Sequence, residues 1–246
     1  GQNYDENLNK IFFKELQISE PKYQLNINTD TLGTVLGETL IKIEPIMKKE
    51  NPDAVLILGD TNSCIAAIMA KRLHIPIYHM EAGNRSFDLN VPEEINRRMI
   101  DHIADFNLVY TENSRRHLLS EGLHHRRIYL TGSPMNEVLR YYSDKINNSN
   151  ILNKLSLKSK KFFVVSMHRE ENVDNPQILE KIILILNNIV INYNLPVIVT
   201  THPRTKKRLS SIKNLTLNKK ISFLKPFGFF DYINLQKNAL CVISDS

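Results

Sequence analysis

Residues 54–85 read AVLILGDTNSCIAAIMAKRLHIPIYHMEAGNR, and this stretch decides the fold class. It opens with Ala54–Leu58, a short and continuously apolar run that ends in the polar sequence GDTNS. Such a run is typical of a parallel strand that is buried on both faces of a sheet. A helix is predicted over Ser63–Leu73 and a second strand over Ile75–Met80. A strand, a helix and a strand joined by short loops form a βαβ unit, so the stretch predicts an α/β fold.

The same alternation extends in both directions from this unit. Apolar residues recur at steps of three and four between Asp30 and Lys49, which predicts a preceding helix with one buried face. The elements predicted downstream are a helix at Pro92–Ala104, a strand at Phe106–Tyr110, a helix at Glu112–Glu121 and a strand at Arg127–Thr131. Repeated units of this kind predict a parallel, doubly wound sheet.

A change of composition marks the predicted end of the first domain. Residues 143–161 are rich in Asn, Ser and Lys and have little apolar periodicity, which is typical of a linker between domains. A second α/β sheet is predicted from strands at Lys161–Met167, Pro196–Thr201 and Leu240–Ser244 and from a helix at Pro176–Tyr193. The sequence therefore predicts an α/β domain at residues 1–142, a linker at 143–160 and a second α/β domain at 161–246.

Both domains are expected to be truncated in this chain. A doubly wound domain opens with a strand, whereas this chain opens on the turn-like sequence GQNYD. The chain stops at Ser246, directly after a predicted strand, where a loop and a helix are expected to follow.

Composition describes an ordinary globular protein. The 246 residues are 42% hydrophobic and 24% charged, which suffices for two modest domains. Nowhere does an apolar run reach the length that crosses a bilayer, and the N-terminus lacks the basic start and apolar core of a signal peptide. These features predict a cytoplasmic protein without a membrane partner. Cys64 and Cys241 lie far apart in apolar segments, which predicts two reduced, buried thiols rather than a disulfide or a metal site.

The net charge of +6 favours anionic partners. Positive residues are spread along the chain, with only short runs at 158–161 and 206–208. Proteins that bind nucleic acids carry a basic stripe with stacking aromatic side chains or a recognisable module, and neither is present in this sequence. A small ligand with phosphate groups needs only a few cations, so such a ligand is expected and a nucleic acid is not.

Polar side chains follow the first two predicted strands. Asp60 and Glu81 come at the predicted carboxyl ends of these strands, where open α/β sheets bind their ligands. Asp60 could instead cap the next helix, and Glu81 could be a surface carboxylate in a loop. Gly83 permits a tight turn after Glu81, and Arg85 could hold either a phosphate or a neighbouring carboxylate.

The helix predicted at Pro92–Ala104 places a third carboxylate near these two. Pro92 fits the first helical turn, so Glu93 lies at the helix N-terminus, close to the loop that carries Glu81. One stripe of this helix comprises Glu93, Asn96, Arg97 and Ile100. The spacing leaves open whether Glu93 and Arg97 are functional or form a surface salt bridge.

The other positions of this helix are interpreted from the same spacing. Glu94 and Arg98 are four residues apart and are predicted to form an ordinary exposed ion pair. Ile95, Met99 and Ile103 form an apolar stripe that is predicted to face the core.

The second domain repeats the pattern of polar residues after strands. His168 and Arg169 follow its first predicted strand, and His202 follows the next. A histidine at this position can titrate near neutral pH and, with Arg169, could contact a phosphate across a cleft between the domains. The alternative is a purely structural histidine. Aromatic residues 227, 229, 230 and 232 are predicted to be mostly core, although one of them could stack on a base.

Eight motifs, taken together, resemble the non-hydrolysing UDP-N-acetylglucosamine 2-epimerase family. They cover nearly the whole chain in the order of that family. The motifs are GDTNS (59–63), HMEAGNRSFD (79–88), PEEINRRMIDHIAD (92–105), YTENSRRHLLSEG (110–122), RIYLTGSP (127–134), SMHREENVD (166–174), THPR (201–204) and SDS (244–246).

The resemblance implies a fold and a biological setting. Family members resemble GT-B glycosyltransferases, with two Rossmann-like domains that flank a nucleotide-sugar cleft, and they act in bacterial capsule and cell-envelope sugar synthesis. The forms EAGNR, TGSPM and HREENVD are most similar to the branch that converts UDP-2-acetamido-2,6-dideoxy-L-talose to UDP-N-acetyl-L-fucosamine. Family members are often dimers, so a homodimer is expected.

The resemblance also implies a mechanism and roles for residues. Cleavage of the bond between C1 and UDP, followed by loss of the C2 proton, gives a 2-acetamidoglycal, to which UDP adds back. This route requires no metal, nicotinamide or other redox cofactor. By matching motifs, the catalytic carboxylates are Asp60, Glu81 and Glu93, and His168 is the fourth catalytic group. The family pattern does not assign the carboxylates to the two faces of C2.

The remaining matches concern substrate binding. Arg97 is expected to orient Glu93 or bind phosphate, and His202 and Ser246 resemble positions that contact the nucleotide. With Arg85 and Arg169, they complete the predicted substrate-binding set. The family's opening strand, its basic GTRPE-type loop and the residues beyond SDS that bind the diphosphate and ribose are absent. The 246-residue chain alone is therefore expected to bind nucleotide weakly and to turn over poorly.

Three other functions remain open from the sequence. A GT-B glycosyltransferase would pass the sugar to an acceptor, and a hydrolysing epimerase would release N-acetylmannosamine and UDP. A non-catalytic module would bind the nucleotide sugar without changing it.

Overall fold

In the computed structural model, residues 10–167, 175–201 and 217–245 are described, and the chain divides into two units. The N-terminal unit comprises the described residues 21–138. The C-terminal unit combines residues 139 onwards with residues 10–20, which include helix α1 (Lys10–Leu16). Within the described ranges, every helix is too short or too polar to cross a membrane.

The N-terminal unit is built on a four-stranded parallel sheet in the order β1-β2-β3-β4. A short 3₁₀ helix, Asn62–Ile65, precedes α3. The elements are α2 (Leu32–Glu50), β1 (Val55–Leu58), α3 (Ala66–Arg72), β2 (Ile77–Ala82), α4 (Pro92–Ile103), β3 (Phe106–Val109), α5 (Glu112–Ser120) and β4 (Ile128–Leu130). These bounds confirm every helix and strand predicted for residues 30–131 to within a few residues.

Strand β1 is buried on one face only, so the prediction of burial on both faces is wrong. Val55 and Ile57 pack against the core beneath α2, α3 and α4, whereas Leu56 and Leu58 are 64% and 63% exposed. The strand order explains this difference, because the strands follow one another in chain order and right-handed crossovers place the connecting helices on the same face. Strand β1 is an edge of the described sheet.

Helix α4 turns a different face to the core from the predicted one. Ile100 is fully buried with Ala104, while Ile95 is 54% exposed, so the expected inward position of Ile95 is wrong. Ile103 does pack against the core. The buried face of the helix also carries Glu94 and Asp101, seven residues apart. A stripe defined by apolar residues alone could not reveal a face that buries two carboxylates.

The C-terminal unit holds a second parallel sheet in the order β7-β6-β5-β8. Its strands are β5 (Phe163–Met167), β6 (Val197–Thr201), β7 (Ile221–Leu224) and β8 (Cys241–Ser244). Its helices are α7 (Ser143–Asn147), α8 (Ile151–Lys154), α9 (Pro176–Tyr193) and α10 (Phe229–Asn238), while α6 (Met135–Tyr141) spans the boundary between the units. The chain therefore moves outward from β5 to β7 and then returns to the other side of β5.

Both faces of this second sheet are covered. Phe163 and Val165 pack with α9 residues on one face, and Val164 packs with Ile151 and Leu235 on the other. Alternate residues of β5 thus enter opposite cores, as expected of a doubly wound sheet. The predicted α/β architecture of two parallel sheets is confirmed.

Residues 143–160, which the composition predicts to be a linker, fold into the C-terminal unit. Helices α7 and α8 bury Ile146 and Ile151. Asn234 of α10 donates its amide to the Ile146 carbonyl at 2.8 Å, and Ser149 donates to Asp231 at 2.5 Å. The polar surface of two very short helices conceals this packing in the sequence.

The two cysteines are free, but only one is buried. Burial raises the pKa of the Cys64 thiol to about 12, and the nearby charges of Asp60 and Asp101 act in the same direction. Cys64 is therefore a protonated core residue. Cys241 is exposed on the edge strand β8, so its predicted burial is wrong.

Candidate active site

The carboxyl edge of the N-terminal sheet brings Asp60 and Glu81 together, as the sequence predicts. Gly59, with φ +74°, turns the chain after β1, and β2 has an irregular register between Met80 and Ala82. A β-carbon on Gly59 would lie 3.6 Å from Glu81 Oε2, so the Glu81 carboxylate lies against the turn that carries Asp60. Glu81 itself has φ +66°, a conformation that non-glycine residues rarely adopt outside functional or strained positions.

Helix α4 holds the Asp60 loop through two side chains. Arg97 donates Nε to Asp60 Oδ2 at 2.8 Å, and its Nη2 contacts the same oxygen. Asn96 donates its amide to the Asp60 carbonyl at 2.9 Å and to Asn62 Oδ1 at 3.0 Å. The 3₁₀ helix that follows begins after Thr61, so Asp60 does not cap it. The ion pair with Arg97 leaves Asp60 at the sheet edge, partly open to solvent.

Glu81 lies in a different electrostatic environment. Within the described part of the chain, its carboxylate has neither an ion pair nor a hydrogen bond. Burial raises its pKa, the negative charge of Asp60 raises it further, and the charges of Arg97 and His79 oppose this shift. The pKa of Tyr110 is also raised, by burial and then by the charge of Glu81. Glu81 therefore differs from Asp60, because its pKa is raised and its carboxylate has no partner among the described residues.

Glu93 occupies the predicted place at the N-terminus of α4, but it is not paired with Arg97. Its side chain is exposed in the first helical turn, and it makes no ion pair with any residue that the structure describes. Arg97 instead binds Asp60 and donates Nη1 to Glu94 Oε2 at 3.0 Å. The prediction that Arg97 orients Glu93 is therefore corrected: Arg97 holds Asp60.

The predicted ion pair of Glu94 and Arg98 forms, but its predicted exposure is wrong, because Glu94 is fully buried. It accepts the backbone N–H of Ser86 at 2.9 Å and the Arg98 Nε at 2.8 Å. Burial raises the pKa of Glu94, but the bonds from Ser86 and Arg98 outweigh it and leave the pKa below the usual value. Glu94 thus fixes the loop that follows Glu81.

Arg85 holds carboxylates, which is the second of the two roles that the sequence left open. Its side chain is fully buried. It binds Glu121 through Nε and Nη2, each at 2.7 Å, and donates Nη1 to Asp101 Oδ2 at 2.7 Å. Because these bonds occupy the guanidinium in the protein interior, we do not retain Arg85 as a substrate-binding residue. The bonds from Arg85 lower the pKa of Glu121 to about 2.

Several hydrogen bonds from α4 and α5 fix the loop after Glu81. Gly83 N–H points to the Asp101 carboxylate, and Gly83 O accepts a bond from His117 Nδ1 at 3.0 Å. Ser114 donates its hydroxyl to Asn84 Oδ1 at 2.8 Å. Only glycine fits at position 83, since a β-carbon there would lie 2.4 Å from the Ser114 carbonyl. The loop is therefore a rigid support for Glu81.

Sequence reasoning missed His79 and Asp101, which are both fully buried. His79 Nδ1 lies 2.9 Å from Asp101 Oδ1, and His79 Nε2 lies 3.0 Å from the Gly59 carbonyl. One signal was available: in β2, His79 alternates with Tyr78 and Met80, so it takes the inward position of the strand. The position of Asp101 seven residues after Glu94 was the matching signal on α4.

Four predicted site residues, His168, Arg169, His202 and Ser246, lie outside the described residues. Strand β5 ends at Met167, β6 ends at Thr201 and β8 ends at Ser244. The four positions therefore follow directly, or within two residues, the carboxyl ends of three neighbouring parallel strands. The strand order reverses at β5, and open α/β sheets bind ligands at such a reversal.

Comparison with known proteins identifies the family. A family model described as UDP-N-acetylglucosamine 2-epimerase matches residues 1–246. The chain belongs to the UDP-N-acetylglucosamine 2-epimerase family. This family member is 39% identical to Methanocaldococcus jannaschii UDP-GlcNAc 2-epimerase, whose crystal structure was solved in complex with UDP-GlcNAc and UDP. The TM-score is 0.91, and the match covers 100% of this chain and 69% of that one.

Two further relatives define the range of the match. The structure of UDP-N-acetylglucosamine 2-epimerase from Rickettsia bellii is 46% identical with a TM-score of 0.88, and the match covers 100% of this chain and 65% of that one. UDP-2,3-diacetamido-2,3-dideoxy-D-glucuronate 2-epimerase from Pseudomonas aeruginosa is 36% identical, with 100% of this chain and 68% of the relative covered. This epimerase-family chain thus spans about two thirds of the length of its relatives.

Proposed function

We propose that the protein is a UDP-sugar 2-epimerase that inverts C2 of a UDP-N-acetylhexosamine without hydrolysing it. The observation that carries the proposal is the pair of adjacent carboxyl groups at one sheet edge, Asp60 and Glu81. Asp60 is paired with Arg97, whereas Glu81 is unpaired in the described structure and has a raised pKa. Carboxyl groups in contrasting environments are the usual means by which an enzyme assigns acid and base roles at one pH.

The chemistry of the substrate explains why such groups are required. C2 of the sugar is not next to a carbonyl, so its proton is poorly acidic. Cleavage of the bond between C1 and the UDP oxygen, with both electrons leaving on UDP, makes C1 cationic and acidifies the C2 hydrogen. A base then removes that proton, and the electrons of the C2–H bond form the double bond of a 2-acetamidoglycal. Protonation of C2 from the other face and re-addition of UDP to C1 complete the inversion.

This route requires acid and base groups near both faces of C2 and negative charge near the cationic carbon. We assign these tasks to Asp60, Glu81 and Glu93. The family resemblance, the half-buried position of Glu81 and the exposed position of Glu93 at the start of α4 support the assignment. The proposal adds His168 as the fourth catalytic group.

The nucleotide is proposed to contact Arg169, His202 and Ser246. Their support is their place in the sequence, directly after strands β5 and β6 and at the end of β8. The candidate substrates are UDP-GlcNAc with UDP-ManNAc and the 6-deoxy-L-talose precursor of UDP-N-acetyl-L-fucosamine. The relative that acts on a diacetamido-glucuronate, according to its name, shows that related chains serve more than one sugar. We place the product in the synthesis of a cell-surface polysaccharide.

Exchange at C2 tests the proposal. The full-length protein is incubated with each UDP-sugar in heavy water, and deuterium at C2 is followed by NMR while the sugar remains linked to UDP. We expect exchange together with formation of the C2 epimer. Release of free N-acetylmannosamine and UDP would instead show a hydrolysing epimerase, transfer to an acceptor would show a glycosyltransferase, and absence of exchange with every candidate sugar would refute the proposal.

Glu81→Gln is expected to stabilise the fold at neutral pH while abolishing most C2 exchange. The folded-state pKa of Glu81 lies above its usual value of 4.5, mainly because of burial. Below pH 4.5 the carboxyl group is protonated in both the folded and the unfolded chain, so it does not destabilise the fold. As the pH rises through the folded pKa, the unfolded chain has already lost this proton more readily, so the free energy of unfolding falls. Glutamine stays neutral, so the Tm of E81Q should exceed that of the wild type well above that pKa and approach it in acid.

Thermal unfolding at several pH values measures this effect. Glu137→Gln is the matched control, because Glu137 is exposed on α6 and belongs, like Glu81, to the N-terminal unit. Its Tm difference from the wild type should be small and should not grow with pH. A pH-independent Tm difference for E81Q would contradict the raised pKa.

A further inference from the structure

A buried charged cluster joins the turn that carries Asp60 to the loop that follows Glu81 at the end of β2. The cluster comprises His79 of β2, Arg85 of the loop after β2 and Asp101 of α4, and we call it the Asp101 cluster. All three side chains are fully buried. Asp101 reaches the loop after Glu81 through the Gly83 N–H, at 3.2 Å from each carboxylate oxygen. His79 reaches the turn before Asp60 through the Gly59 carbonyl.

The partners of His79 define which atoms of its ring carry hydrogen. The Gly59 carbonyl can only accept, so Nε2, at 3.0 Å, donates to it. Asp101 Oδ1 lies 2.9 Å from Nδ1. Both Asp101 oxygens already accept the Gly83 N–H, and Oδ2 also accepts Arg85 Nη1. The carboxylate is therefore placed as an acceptor toward Nδ1 as well, so both ring nitrogens of His79 face acceptor oxygens.

One further residue, Glu121, extends the cluster. Arg85 binds both Asp101 and Glu121, and Asp101 also contacts His79. Asn107, on the strand beside β2, also donates its amide to the Asp101 carbonyl at 2.9 Å. Burying such charges costs more desolvation energy than an apolar core does, and apolar replacements are often equally stable. Stability alone is therefore a poor explanation for this cluster.

We propose that His79 and Asp101 are positioning residues that fix the distance between the Asp60 and Glu81 carboxylates. Asp101 is the common point: through His79 it holds the Gly59 carbonyl, one residue before Asp60, and directly it holds the Gly83 amide, two residues after Glu81. Acid and base groups must be placed to within a fraction of an ångström of the reacting atoms. The inference rests on the proposed epimerase function.

Substitutions that keep the size of these side chains test the role. Asp101→Asn removes the carboxylate and one acceptor for His79. His79→Gln keeps one N–H for the Gly59 carbonyl, whereas His79→Leu keeps none. For D101N and H79L, we expect kcat for C2 exchange to fall about 100-fold with KM within about twofold of the wild type, since misplacement by about 1 Å costs this much. H79Q should lose less than H79L, because it retains a donor.

A carboxylate at the opposite end of the same strand provides the matched control. Asp105 accepts the Ile77 N–H at 3.0 Å at the start of β2 and forms an ion pair with Lys71. Asp105→Asn should lower the Tm but leave kcat unchanged. If D101N and both His79 variants also lower only the Tm, the cluster is structural and the proposal is overturned.

Two readouts that do not require turnover separate this proposal from the proposed function. In ¹⁵N-labelled wild-type protein, both ring nitrogens of His79 should show one-bond couplings to hydrogen, and D101N should remove this pattern. Crystal structures of H79L and D101N should show a changed distance between the Asp60 and Glu81 carboxylates. A singly protonated His79 ring, or an unchanged distance, would refute the positioning role, whereas failure of the wild-type protein to exchange C2 hydrogen would refute only the function.

Discussion

Replacing Asp60 by Asn is expected to lower kcat for C2 exchange by about 10²–10⁴-fold, the usual contribution of a positioned acid or base. The amide keeps the shape of the side chain but can neither take a proton nor stabilise a cationic sugar carbon as a carboxylate does. The substitution also removes the negative charge of Asp60, which helps to raise the pKa of Glu81. The pKa of Glu81 in D60N should therefore be lower than in the wild type. Single-turnover exchange in heavy water measures the chemical step.

The effect on stability should be much smaller than the effect on catalysis. Asp60 is partly open to solvent, and Arg97 retains its bond to the buried Glu94 when Asp60 is replaced. Asp53→Asn is the matched control, because Asp53 is an exposed carboxylate just before the amino end of the same strand, β1. D53N should keep wild-type kcat and Tm. Wild-type exchange by D60N would show that Asp60 is not catalytic and would favour a module that only binds the nucleotide sugar.

The order of strands and helices could be predicted because two different apolar patterns recur along the chain. Helix α2 repeats apolar residues every three or four positions, and the apolar run at Ala54–Leu58 is short and ends in a polar loop. Neighbouring carboxyl ends in a parallel sheet explain why Asp60 and Glu81 were expected to meet. The family resemblance added the chemistry, which periodicity alone cannot supply.

Elements with weaker patterns escaped prediction. Strand β7 has only four residues, and α10 places polar residues Asn234 and Asn238 in its buried or half-buried positions. The short helices α7 and α8 present mostly polar residues, so their single buried isoleucines did not stand out. Their positions depend on contacts with residues distant in the sequence, such as Asp231, and those contacts have no local signature.

The charged interior of the N-terminal unit was the main error of the sequence interpretation. Glu94, Asp101 and Arg85 are all buried, although residues of these types are seldom buried unless they are paired. Their ion-pair partners lie 3 to 36 residues away, and those of Arg85 come from a different helix or from the end of one. Because the sequence pattern assigns charged residues to the surface, it predicts an exposed pair for Glu94 and allows a phosphate contact for Arg85. The structure instead places both residues in an internal network of ion pairs.

Arg85→Met is expected to lower the free energy of unfolding by about 3–5 kcal/mol, the usual cost of removing one partner of a buried ion pair. Methionine fills a similar volume but leaves Asp101 and Glu121 without their shared cation. Arg85 and Asp101 are both fully buried, so water cannot replace the lost bonds. Urea unfolding at neutral pH measures the loss.

The loss of stability in acid provides a second test of the role of Arg85. Glu121 in the wild type has a pKa of about 2, lowered from 4.5 by Arg85 first. A lowered folded-state pKa gives stability that is present above pH 4.5 and is lost as the pH falls toward about 2. In R85M that contribution is largely absent, so its stability should fall less than that of the wild type over this interval.

Arg115→Met is the matched control for the loss of an arginine. Arg115 pairs with Glu112 on the surface of α5, where both side chains are about 40% exposed, and such pairs contribute about 0–1 kcal/mol. R115M should therefore change the free energy of unfolding by less than about 1 kcal/mol. If R85M matched R115M in stability and raised KM for the UDP-sugar, Arg85 would be a phosphate ligand after all. We expect R85M to be much less stable than R115M, because the Arg85 guanidinium is bonded to Asp101 and Glu121 inside the protein.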